Sequence, residues 1–203
     1  AFHPDFDYAA YDVDGRMVIV AEALAASVVA AVKRAFGPPV ARLKGTLLER
    51  LRFEHPLYGR SSLGVLADYV TLETGTGAVH TAPGHGADDF RTGTRYDLDI
   101  YAPVGADGRF LDSVELVGGQ TVFEANPLVE SALAARGRLW HRGQVEHSYP
   151  HCWRCHKPVI FRATDQWFLS LEHAGLRQKA LSEIDRVRWI PRLVSSQAER
   201  KRT

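Results

Sequence analysis

Two short apolar runs open the chain. Residues 8–13 (YAAYDV) and 16–20 (RMVIV) flank Asp14-Gly15, a pair that takes the positive φ angles of a tight turn, so the pattern predicts an antiparallel hairpin. Residues 22–36 are rich in alanine, with apolar positions at helical spacing. They predict a helix that stops at Gly37-Pro38-Pro39, where glycine caps and proline cannot continue. Residues 66–72 and 76–81 predict a second strand pair around Glu73-Thr74-Gly75, after which Gly84-His85-Gly86 loosens the backbone before a helical turn near Asp88. Asp107-Gly108 marks a further turn, and Asn126-Pro127 predicts a helix with a side-chain cap and proline at its first position, ending at Gly137. From Ser148 the texture becomes aromatic and basic, SYPHCWRCHKPVIFRATDQWFLSL, which predicts a separate return segment and a helix over 174–183.

Strand, turn and helix alternate here without a repeat, and no G-x-G-x-x-G follows a strand, so a nucleotide-binding doubly wound sheet is excluded as the organising fold. The pattern predicts an α+β fold with a compact, barrel-like mixed β core and peripheral helices. It divides into residues 1–147 and a return segment over 148–203.

Composition narrows the class. With 203 residues, 45% hydrophobic and 24% charged, the chain is long enough for a proper core and matches an average globular protein. It has neither a secretory signal nor an apolar run of the ~20 residues a membrane helix needs, so a cytoplasmic protein without membrane partners is expected. A net charge of +1 excludes a general polyanion binder, so any RNA contact must be local. Basic residues thicken from Arg136 onward to the terminal Arg200-Lys201-Arg202, a pattern that also suits a solvated face and a frayed tail.

Candidate chemistry gathers around residues 75–90. His80 ends a strand pattern and is followed by Thr81, Pro83, a Gly-His-Gly turn and two aspartates, while glycines at 75, 77, 84 and 86 allow backbone to approach a ligand. Asp89, in a helix's first turn, is kept ionised by the helix dipole and suits an α-ammonium, and a neutral imidazole can orient water beside an ester. The same residues also fit a hydrogen-bonded surface histidine and a dipole-stabilising aspartate. No Ser-His-Asp, Cys-His, G-x-S-x-G or H-E-x-x-H arrangement is readable, so hydrolysis would have to use an oriented water. Elsewhere, Cys152 and Cys155 have the spacing of half a zinc knuckle, with His147, His151 or His156 as further donors. They equally suit reduced, partly buried thiols beside a core cluster of Trp153, Phe161, Trp167 and Phe168.

The runs GTGAVHTAPGHGADDF, PVGADGRF, HSYPHCWR and KPVIFRATDQWF, in this order and at these intervals, together resemble the bacterial isoleucyl-tRNA synthetase family. The resemblance spans about residues 5–191 and falls on the editing insertion that splits the class I catalytic domain. It implies the editing-domain fold and an aminoacyl-tRNA deacylase that removes valine misattached to isoleucine tRNA. By motif position, His80 and Asp89 would be the catalytic pair, with Asp89 on the α-ammonium. Gly75, Thr76, Gly77 and Thr81 would join them in binding substrate. Editing would need no cofactor, and a structural zinc could sit at Cys152 and Cys155. ATP would serve only the full-length ligase of protein biosynthesis. The expected partners are valine and isoleucine tRNA carrying valine, and the expected state is a monomer.

The family's threonine-rich editing peptide would lie just before Ala1, neither HIGH-type nor KMSKS-type signature is present, and the tail after Pro191 departs from the family. A fragment that does not aminoacylate is therefore expected. A folded but inactive fragment that binds valine or tRNA weakly is the alternative.

Overall fold

The computed structural model describes residues 1–144, 146 and 148–188. The chain divides into two compact units, Ala1–Ala163 and Thr164–Thr203, so the texture change at Ser148 falls inside the first. His147 and the tail beyond Arg188, including the basic Arg200-Lys201-Arg202 run, lie outside the described residues.

The opening hairpin forms as its pattern requires. Strands β1 (Asp7–Val13) and β2 (Arg16–Ala21) pair antiparallel with Val13 opposite Arg16. Asp14 (φ 54°) and Gly15 (φ 75°) supply the two left-handed residues of the turn. Strand β3 (Ala41–Lys44) pairs on the other edge of β1, giving the order β2-β1-β3. As the central strand, β1 is buried on both faces. Tyr8 packs with Phe2, Ala21, Leu24 and Leu48 on one side, and Ala9, Tyr11 and Val13 pack with Val20 and Val28 on the other. A smaller antiparallel pair, β4 (Arg52–Glu54) and β5 (Ser61–Leu63), forms a second sheet. Among the described residues neither sheet closes into a barrel; the architecture is mixed α and β, two small sheets with four α-helices.

Several elements depart from the sequence pattern for local reasons. The first helix is shorter than expected: a 3-10 turn over Glu22–Leu24 leads into α1 (Ala25–Val32), which ends because Lys33 adopts the left-handed conformation (φ 54°, ψ 37°) four residues before Gly37. Phe36, freed from the helix, packs on Tyr11. Residues 66–72 and 76–81 do not pair with each other. Phe2 lies between them, bridging to Leu66 and to Ala78, with its N–H on Val65 O at 2.8 Å and its C=O taken by Ala67 N–H at 2.9 Å. The hydrogen bonds that would have joined the two segments go instead to the chain's first residues.

Helix α3 (Val122–Ala135) starts earlier than Asn126, because Thr121 and Glu124 form a reciprocal capping box, so Pro127 sits inside the helix. Its end agrees with the pattern, with Gly137 left-handed (φ 62°) just beyond. In the second unit, α4 (Leu176–Arg186) follows a 3-10 turn over His173–Gly175. The expected aromatic core cluster does not form: Trp153, Phe161, Trp167 and Phe168 are all exposed, Trp167 fully.

Candidate functional site

Helix α2 (Ala87–Arg95) begins within the matched motif and sets the site. Gly86 is its N-cap and carries no side-chain oxygen, so Asp88 and Asp89 supply the negative charge its N-terminus favours. Asp89 folds back on the preceding loop, where its Oδ2 accepts the Ala82 N–H at 3.0 Å. Its Oδ1 has no hydrogen-bond partner among the described residues. Loop 81–86 is pinned at three further points. Thr81 Oγ1 shares a 3.2 Å hydrogen bond with Tyr69 OH, the His85 ring nitrogen meets Phe161 O at 2.9 Å, and Ala163 N–H donates to Gly84 O at 2.7 Å.

His80 stands at the mouth of this loop, on the wall of a wide groove of about 1530 Å³. Its imidazole is held below the ordinary histidine value. The crowding of protein around it is the main cause and the Asp89 carboxylate opposes it, while the Ala1 ammonium and Arg60 push it down further. The ring nonetheless keeps solvent access, so this depression is tempered by water. The Ala1 ammonium donates to Val79 O at 2.6 Å and lies in the field of the same carboxylate; desolvation brings it to about 6 against that attraction.

The structure brings His80, Thr81 and Asp89 into one region, but not all of them onto one surface. His80 and Thr81 line the groove; Asp89, Gly75, Thr76 and Gly77 do not. Gly75 and Thr76 are exposed, and Thr76 and Gly77 bond through their carbonyls to the opening hairpin instead. Thr76 O accepts the Ala21 N–H at 2.8 Å, and Gly77 O accepts the hydroxyl of buried Tyr8 at 2.6 Å. Gly77 has φ 73°, and a Cβ there would meet the Ala21 methyl at 2.4 Å, so only glycine lets this loop dock on the hairpin.

Other groove residues carry no signal in the sequence pattern. Arg50, Arg52 and Arg60, with Tyr58 and Tyr96, line the groove alongside His80. They come from turns and a two-stranded ribbon too short for any periodicity to show. His55 was missed as well. Its Nδ1 accepts the N–H groups of Leu57 and Tyr58, each at 3.1 Å, and burial, Arg60 and His80 all lower its imidazole.

Cys152 and Cys155 sit in a tight turn, with Cys152 N–H on Lys157 O and His156 N–H on Cys152 O, both 2.8 Å. The N–H groups of Cys155 and Arg154, then the Cys155 thiol, donate to Cys152 Sγ and lower its pKa. That fits half of a thiolate zinc site. Among the described residues no third His, Cys, Asp or Glu joins them, and the His151 ring nitrogen is engaged with Tyr149 O at 2.8 Å. No helix among the described residues is long and apolar enough to cross a membrane.

Comparison with known proteins now bears on this geometry. No family model matches the chain. It is 57% identical over 192 residues to the isoleucine–tRNA ligase of Nitratidesulfovibrio vulgaris, an alignment covering 94% of this chain and 20% of that protein. The enzyme of the same name from Geobacter sulfurreducens is 50% identical, with 95% of this chain and 21% of the relative covered. That of Syntrophotalea carbinolica is 45% identical, with 94% and 20% covered. The chain spans about 20% of the length of these curated relatives. An identity of 45–57% sustained over nearly its whole length places it with them: the chain belongs to the isoleucine–tRNA ligase family.

Proposed function

We propose that this region hydrolyses the ester of valine misattached to isoleucine tRNA, the editing step of the ligase to which it is related. An apolar synthetic pocket discriminates poorly against a side chain one methylene smaller, and isoleucine against valine is the known example of that limit, so a second, hydrolytic site is needed.

The observation that carries the reading is the Asp89 carboxylate. It is anchored at a helix N-terminus by Ala82 N–H with one oxygen left unengaged, and it is within electrostatic reach of His80 on the groove wall. In this reading the unengaged oxygen receives the α-ammonium of the amino acid. His80, neutral at physiological pH, positions the attacking water and the terminal ribose hydroxyl. Water adds to the ester carbonyl carbon and the bond to the ribose oxygen breaks; one of the water's protons passes to that oxygen, the other is released to solvent, and valine leaves as its carboxylate. Gly75, at φ 82°, turns the chain into Thr76 and Gly77, which hold the segment that presents His80 against the opening hairpin, and Thr81 braces the loop that follows through Tyr69. No protein nucleophile and no cofactor enters this chemistry.

Incubating the chain with valyl-tRNA for isoleucine tests the reading. Deacylation is expected to exceed the spontaneous rate, and Asp89→Ala to slow it roughly 10- to 100-fold, the worth of one charge-assisted hydrogen bond. A rate equal to the uncatalysed ester, or an Asp89→Ala protein as fast as wild type, sinks it.

Because Asp89 does not itself line the groove, a second reading stands beside it: a folded segment that binds valine or tRNA weakly without turnover. Saturable binding of a valine analogue with no deacylation would select it. The Cys152–Cys155 pair belongs to neither reading. As half a structural zinc site it would need donors from beyond the described residues.

A further inference from the structure

Loop 81–86 belongs to neither helix nor strand, and Gly84 and Gly86 leave it little stiffness of its own. Its conformation matters because the Asp89 carboxylate is held through it. Asp89 Oδ2 accepts the Ala82 N–H at 3.0 Å, so a shift of Ala82 carries that oxygen with it and changes the direction of Oδ1. A turn inside the loop, from His85 N–H to Ala82 O at 2.9 Å, ties the position of Ala82 to that of His85.

Residues 160–163 support the loop from outside. Phe161, 76 positions beyond His85, accepts a hydrogen bond from the His85 ring on its carbonyl oxygen at 2.9 Å, and Ala163 N–H donates to Gly84 O at 2.7 Å. A carbonyl only accepts, so Nδ1 of His85 carries the proton in this contact. The same short segment is fastened on its other side to residues 104–108. Arg162 Nε donates to the carbonyl of buried Val104 at 3.0 Å, and a Cβ on Gly108 would stand 3.0 Å from Ile160 Cδ1. Beneath the loop, a Cβ on Gly84 would come within 2.3 Å of Tyr101 O, so only glycine lets the backbone lie this close. The His85 ring is thus engaged with the backbone of a distant segment, and His85 does not line the groove.

We propose that residues 160–163 are a strap that fixes the Asp89 carboxylate in its working position, with His85 as the positioning residue that fastens it. This rests on the hydrolysis reading above, in which Asp89 receives the α-ammonium. The chain of contacts is short: Phe161 O holds the His85 ring, His85 N–H holds Ala82 O, and Ala82 N–H holds Asp89. A misplacement of about 1 Å in a group that orients substrate costs up to about 100-fold in rate, so a small shift of the loop is enough to matter. Because the contact runs through the backbone oxygen of residue 161, the exposed phenyl ring takes no part in it.

The test compares His85→Ala, His85→Gln and His85→Asn. The side-chain nitrogen of asparagine stands where histidine has Nδ1, whereas that of glutamine lies one atom further out. In hydrolysis of valyl-tRNA for isoleucine, kcat is expected to fall about 3- to 10-fold in the alanine and glutamine variants, the worth of one neutral hydrogen bond, and to be largely kept by asparagine. KM should change little, because a misplaced carboxylate misorients the ester without releasing the tRNA. Phe161→Leu should match wild type. In an Asp89→Ala background His85→Ala should cost nothing more, since it acts through that carboxylate. Amide exchange at Ala82 and Ala163, followed by NMR, reads the strap without any catalysis: it should quicken in the alanine and glutamine variants and stay as in wild type with asparagine. Should His85→Ala fail to fold, glutamine against asparagine carries the same comparison. The strap is overturned if exchange at both amides is unaltered, if asparagine is as slow as alanine, as an acid–base role of the ring would require, or if the His85 and Asp89 effects simply add. A wild type that does not hydrolyse valyl-tRNA sinks the editing reading, and the exchange rates then decide the strap alone. Hydrolysis by wild type with exchange unaltered in every variant does the reverse.

Discussion

At the scale of single residues, the two histidines beside the groove make stability depend on pH with a definite sign. Both His80 and His55 are lowered from the ordinary histidine value, in each case chiefly by burial. A group whose folded pKa lies below its unfolded one binds fewer protons in the native state, so stability is full above the unfolded value near 6.5. It falls as pH drops through that value, and the loss levels off once the folded imidazoles titrate. His55 contributes through geometry as well, since protonating Nδ1 abolishes the acceptor for the N–H groups of Leu57 and Tyr58. Thermal midpoints measured from about pH 8 to about pH 5 should fall on the acid side, and less steeply in His55→Gln and His80→Gln. Variants that fall as steeply as wild type would remove both residues from the account. His80 was legible in the sequence because it sits inside a dense motif. His55 was not: its importance comes from two local N–H groups and from Arg60 and His80, and no spacing rule encodes that company.

At the scale of elements, what decides a boundary is which cap the backbone finds first. Around α3 the sequence offers two N-terminal signals, Thr121-x-x-Glu124 and Asn126-Pro127. The capping box wins because it satisfies the Glu124 N–H through Thr121 Oγ1 at 3.2 Å and the Thr121 N–H through Glu124 Oε2 at 2.9 Å. Thr121→Ala should therefore cost about 1 kcal/mol in chemical denaturation, whereas Asn126→Ala should be neutral or slightly stabilising, alanine being the better helix former. The opposite ranking would restore Asn126 as the cap. The opening hairpin was readable because Asp14-Gly15 and its flanking strands are local in sequence. The region of residues 66–81 was not, because the partner of both segments is Phe2, more than sixty positions away from each. A pattern read along the chain finds neighbours in sequence, and here it paired two segments that are each bonded to a third.

At the scale of the whole molecule, the chain keeps its ordered packing in the first unit and its two most exposed aromatic side chains near the start of the second. The core strands and the candidate site lie within Ala1–Ala163. From Thr164 to Glu172 the second unit has neither helix nor strand, and Trp167, Phe168 and Leu169 are exposed to 102%, 91% and 76%. Backbone without ladder or helix bonds, carrying exposed aromatic side chains, is what a protease with aromatic preference can reach without unfolding its substrate. Tyr8 and Tyr11, equally suitable by residue type, are 0% and 7% exposed and belong to a strand paired on both edges. They become available only through global unfolding. Within the described residues, brief chymotrypsin treatment should therefore cut first after Trp167 or Phe168. The larger product should begin at Ala1, keep its circular dichroism and unfold as cooperatively as the intact chain. If mass spectrometry finds the earliest cut in β1 or β2, or if the product loses its transition, the first unit does not hold its fold in the way its burial pattern requires.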